Sequence, residues 1–125
     1  MVELYHAAPV LVFLKIKEKG LLPLSGPDND KYLCASDTPN GAVPLDGGAT
    51  NVVFRFLGST KYWSREGAGL NEWRLRGSVR PADLMCKRYI AKGGHDNSYF
   101  RTLDAYQDEY GIVEMRGSTD AIESR

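Results

Sequence analysis

Glycine falls in clusters that cut the middle of this chain into short pieces: Gly41, Gly47 and Gly48, then Gly67 and Gly69, then Gly93 and Gly94. Glycine takes backbone angles that other residues avoid, so each cluster marks turns or loops between short elements. The elements read mainly as strands. Residues 51–57 (NVVFRFL) are β-branched and aromatic, residues 31–36 (KYLCAS) form another short run, and residues 73–76 alternate apolar with polar. Residues 80–85 read as a helical turn leading into a strand at 86–90. Residues 100–107 read as irregular or helical, residues 110–115 as a last strand, and the polar tail 117–125 as a frayed end. At the N-terminus a strand over 2–6 ends at Ala7-Ala8-Pro9. A helix over 9–19 follows, with Pro9 suited to its first turn and Gly20 to its stop. One early helix and several strands predict an α+β fold with a mainly antiparallel sheet.

At 125 residues the chain fits one domain, 1–125. Sixteen basic residues offset sixteen acidic ones, so bulk charge gives no support for holding a nucleic acid by its phosphates. The longest apolar runs stop short of the roughly 20 residues of a membrane span. Glu3 and His6 ahead of the first apolar run do not read as a signal peptide. Cys34 and Cys86 are the only cysteines and read as reduced core thiols. Two cysteines and two histidines, His6 and His95, lack metal-ligand spacing, so no metal is expected. Neither phosphate-loop glycine motif opens a helix, and no G-x-S-x-G occurs.

Three segments carry candidate chemistry. His6 ends the first strand, where it can bond into a cleft, although a lone histidine is more often structural. Tyr32 offers a flat face for stacking on a heteroaromatic ring. Ser36 and Asp37 follow it, but Ser36 to Gly41 also has strong turn chemistry. The acidic segment 106–114 places Gln107, Glu109 and Glu114 around a strand entrance. A carboxylate there suits glycosyl transfer, whose transition state resembles an oxocarbenium ion; most acidic clusters are simply solvated. Glu109 and Glu114 compete for that role, and five apart on one strand they would face opposite sides.

The order of these segments resembles the ADP-ribosyltransferase superfamily: a strand with Tyr5-His6, a helix ending at Lys19-Gly20-Leu21-Leu22, a strand with Tyr32-Leu33-Cys34-Ala35-Ser36, and a late Glu109 entering a strand. More narrowly it is similar to the small C-terminal toxin domains of polymorphic, Rhs-type bacterial toxins. The resemblance implies a split, mainly antiparallel sheet with an early helix, and NAD as co-substrate. It implies cleavage of the nicotinamide–ribose bond and transfer of ADP-ribose to a macromolecular acceptor, protein before RNA. His6 would bond a ribose hydroxyl, Tyr32 would stack on nicotinamide, and Tyr5 and Ser36 would join them in holding NAD. Glu109 would be the catalytic glutamate, and Gln107, in a Gln-x-Glu pattern, would position the acceptor. Asp37 and Arg55 are further cleft candidates. The chain combines the histidine of one class with the Ser36 and Gln107 of the other. A monomeric effector acting in a target-cell cytoplasm, with a cognate immunity protein, is the implied setting. The rival readings are a metal-independent RNA-cleaving toxin and a binding module without turnover. The first would use His6 and His95 as acid and base, with Lys61, Arg65, Arg74 or Arg76 on the phosphate.

Overall fold

A computed structural model describes residues 1–25, 31–39, 51–65, 71–89 and 99–114. The three glycine clusters, His95 and the C-terminal tail lie outside the described residues. Strand β1 (Val2–Pro9) runs along β4 (Asn51–Gly58) in unbroken antiparallel register, from Val2 opposite Gly58 to Pro9 opposite Asn51. Ala7, Ala8 and Pro9 therefore lengthen the strand instead of ending it. Pro9 is itself extended, at φ −61° and ψ 146°. A single 3-10 turn over Val10–Val12 follows, so helix α1 (Phe13–Lys19) begins four residues later than the sequence predicts. Its end is as expected: the Gly20 amide donates to Ile16 O at 2.7 Å. Gly20 sits at φ +82°, and a Cβ there would lie 2.0 Å from Val79 O, so both conformation and space demand glycine.

Strand β2 (Leu24–Ser25) pairs with β3 (Lys31–Ser36). On β3 the pairing passes to β5 (Glu72–Leu75) at Leu33 to Ser36. Beyond β4 lie β6 (Met85–Arg88) and the two-residue β7 (Arg101–Thr102). All these strands pair antiparallel, giving the neighbour order β3-β1-β4-β6-β7 through the middle of the sheet. The fold is α+β.

Facing residues of paired antiparallel strands point the same way, so the register sorts side chains onto two faces. One face carries Leu4 and Ala8, Leu33 and Ala35, Phe54 and Phe56, and Cys86. Phe13 of α1 and Tyr106 of α2 (Leu103–Tyr110) close over it, their rings 5.4 Å apart. The other face carries a smaller cluster of Tyr5, Ala7 and Val53 under Tyr89 and Phe100. Cys86 is fully buried, Cys34 half-buried, and both are free thiols.

The last predicted strand is a correction. Residues 103–110 are helical, and Tyr110 to Glu114 form no strand. Thr102 Oγ1 accepts the Ala105 amide at 3.1 Å, Asp104 lies in the first turn, and Gly111 closes the helix at φ +61°. Leu103 and Tyr106 bury one side at helical spacing. Cap, acidic first turn and glycine stop together outweigh the β-branched pair Ile112-Val113.

Candidate functional site at the parting of two strands

Strands β1 and β3 are neighbours yet share one register pair, Tyr5 opposite Ser36. Past that pair β1 continues along β4 while β3 continues along β5, so the sheet parts there. The His6 ring bridges the parting: its Nδ1 lies 2.8 Å from Cys34 O. A carbonyl only accepts, so Nδ1 carries the hydrogen and Nε2 is left as the ring's acceptor. Burial pushes the His6 pKa below its ordinary value, more than the bond to Cys34 O raises it. The imidazole is neutral at pH 7.

Tyr5 and His6 leave β1 on opposite faces. Ser36 is the Cα partner of both Tyr5 and Glu72, and Cys34 is the partner of Arg74. Tyr32, Cys34 and Ser36 alternate onto one face of β3, which they share with Tyr5, Glu72 and Arg74. Contacts join them. The Arg74 guanidinium carbon lies 4.8 Å from the Tyr32 ring centre. Arg74 Nε stands 4.0 Å from a Glu72 carboxylate oxygen and has no hydrogen-bond partner among the described residues. The Cys34 thiol is pushed up to about 11, first by burial and then by its hydrogen bond to Glu72. Tyr5 Oη donates to Glu3, and burial followed by that carboxylate pushes the phenol up to about 12. Cys34 is thus a hub: its carbonyl takes His6, its thiol meets Glu72, and its register partner Arg74 stacks on Tyr32.

Of the residues expected from sequence, Tyr5, Tyr32 and Ser36 share one face here, while His6 leaves β1 on the other face and reaches β3 through the Cys34 carbonyl. Ser36 Oγ also accepts the Thr38 amide at 3.2 Å, so the turn chemistry is realised as well. Asp37 accepts from Trp73 Nε1 at 3.1 Å. Arg55, opposite Tyr5 on β4, packs its guanidinium 4.4 Å from the Phe100 ring centre.

Glu109 and Gln107 do not come to this place. Glu109 is on α2, not at a strand entrance, and pairs with Arg101 of β7. Strands β4 and β6 separate β7 from β1, about 14 Å at three inter-strand spacings. Gln107 takes Lys17 Nζ on its oxygen and donates from Nε2 to Ile112 O at 2.9 Å. Two apart on a helix, Gln107 and Glu109 point about 200° away from each other, whereas the Gln-x-Glu pattern needs one face. Glu114 lies beyond the helix and shares no strand with Glu109. Glu72 was not among the expected residues, and only the β3–β5 register brings it opposite Ser36.

No family model, curated protein or solved structure matches this chain. No helix among the described residues is long and apolar enough to cross a membrane.

Proposed function

We propose that the parting between β1 and β3 binds NAD, and that the protein is a toxin-type mono-ADP-ribosyltransferase. It would break the nicotinamide–ribose bond and pass ADP-ribose to a macromolecular acceptor. One observation carries the reading: a sheet that opens after a single pair, with His6 spanning the opening to the strand that holds Tyr32 and Ser36. The neutral imidazole, fixed through Nδ1, offers Nε2 to a ribose hydroxyl. Tyr32, with Arg74 on one side of its ring, offers an aromatic face to nicotinamide. Tyr5 and Ser36 hold the junction of the two strands beside it.

The setting, an effector domain met by a cognate immunity protein, belongs to the same proposal. Neutral overall charge favours a protein acceptor over RNA. Incubation of the purified protein with labelled NAD and bacterial lysate, with and without ribonuclease, tests it. Label on protein that survives ribonuclease is the expected result. Label lost with ribonuclease would move the acceptor to RNA. Cleaved RNA without any use of NAD would replace the reading with the ribonuclease one.

A further inference from the structure

Independently of the NAD reading, we propose that the outer side of α2, together with Tyr99 just before β7, is a docking surface for an arginine-rich segment of a partner protein. The inner side of the helix is accounted for, with Leu103 and Tyr106 buried against the sheet. Outward, large side chains stay in solvent. Tyr99 is 68% exposed, Val113 67% and Tyr110 41%, the last anchored with its ring centre 4.5 Å from that of Tyr106. Tyrosine is enriched where proteins meet, because its ring brings a large apolar area with a polar tip. Charge says what would meet these rings. From Leu103 to Glu114 the chain carries Asp104, Asp108, Glu109 and Glu114 and no lysine or arginine, although the whole chain is neutral.

One arginine of the chain itself already sits there and displays the mode of capture. The Arg101 guanidinium carbon lies 4.5 Å from the Tyr99 ring centre and 5.9 Å from that of Tyr110, and its Nη1 pairs with Glu109. Arg101 is itself almost wholly buried, but the groups that hold it are not. Tyr99 keeps most of its surface open, Glu109 is half-exposed, and Asp108 beside it is exposed. A planar guanidinium suits such a place, since it stacks on a ring while its edge meets a carboxylate; an ammonium does so less well. The other nearby cations do not occupy these groups. Lys17 holds Asp104 at 2.8 Å, about 140° round the helix from Glu109, and Arg88 lies toward Tyr106. The same carboxylates repel phosphate, so a nucleic acid or an anionic lipid fits this surface poorly.

Fluorescence anisotropy of a labelled oligo-arginine peptide, with oligo-lysine of equal length beside it, tests the surface on the full chain. The expected result is saturable binding of oligo-arginine, tighter than that of oligo-lysine and weakened as salt rises. Tyr99→Ala should loosen it roughly two- to fivefold, the equivalent of an exposed cation–π contact, and Tyr99→Phe should not. Asp108→Asn should loosen it as well, whereas Glu18→Gln on the exposed side of α1 should leave it unchanged. All three positions are exposed, so the fold should tolerate each change. Absent binding, equal binding of the two peptides, or binding that Tyr99→Ala leaves untouched would overturn the proposal. So would a single-stranded RNA oligonucleotide that binds in place of the peptide and is lost in Tyr99→Ala. None of these outcomes depends on NAD, so the two readings stand or fall separately.

Discussion

His6 is a histidine whose charge is suppressed by burial while its Nδ1–H is held by a carbonyl. Because its folded pKa lies below the ordinary 6.5, the unfolded chain binds a proton that the native state refuses. Its stability contribution is complete above pH 6.5 and falls as the pH drops below that value. Urea midpoints at pH 7.5 and 5.5 should fall further for wild type than for His6→Gln; equal falls would contradict this. The thiols make a second case. With Cys34 raised to about 11 and Cys86 to about 12, neither is ionised at pH 8, and both should resist a thiol reagent until the chain unfolds. Rapid labelling of Cys34 in the native protein would show that its environment is different. At this scale His6, Tyr32 and Ser36 were legible because each stands in a recognisable strand run. The pairing of Glu72 with Ser36 was not, since the two stand 36 positions apart and nothing local announces it.

Helix α2 shows how local signals compete within an element. The segment from Tyr110 reads as a strand by its β-branched residues, yet Thr102, Asp104 and Gly111 set a helix just before it. Thr102→Ala should lower stability by about 1 kcal/mol in chemical denaturation, the usual loss for an N-cap side chain. No change would mean that tertiary packing alone holds the helix. Glu109, read as a strand-entrance acid, is instead a half-exposed partner for Arg101, whose side chain is only 10% exposed. Glu109→Gln leaves that guanidinium short of a counter-charge, and the same denaturation should show a loss of about 1–2 kcal/mol, reduced by solvent screening at the carboxylate. Strand β4 is where the composition places it, because Val52, Val53, Phe54 and Phe56 give it a β-branched and aromatic run, and β3 keeps its expected bounds of 31–36. Strand β1 overran its expected end because Pro9, opposite Asn51 in the last pair of the strand, is extended rather than helical.

Across the whole molecule, the sheet does two jobs. Its continuous part, β1 with β4 and β6, carries the core under α1 and α2, with Phe13, Phe54 and Tyr106 in contact. Beside it, β3 with β5 carries Tyr32, Ser36 and Glu72 on the face away from that core, and His6 ties β1 to the Cys34 carbonyl of β3. The α+β class was legible from run lengths and turn signals. The single register pair between β1 and β3 was not, because strand neighbours are fixed by long-range packing. A ligand that binds only the native state raises its melting temperature, by the equivalent of about 2.7 kcal/mol at a hundred times its Kd. NAD should therefore stabilise wild type and stabilise Tyr32→Ala less. The most direct measurement is free nicotinamide released from NAD by the purified protein, with lysate supplying the acceptor, in wild type and Tyr32→Ala side by side. Release by wild type, with KM raised several-fold in the variant, is the expected result. A folded wild-type protein that releases none would contradict the assignment of NAD chemistry to this parting.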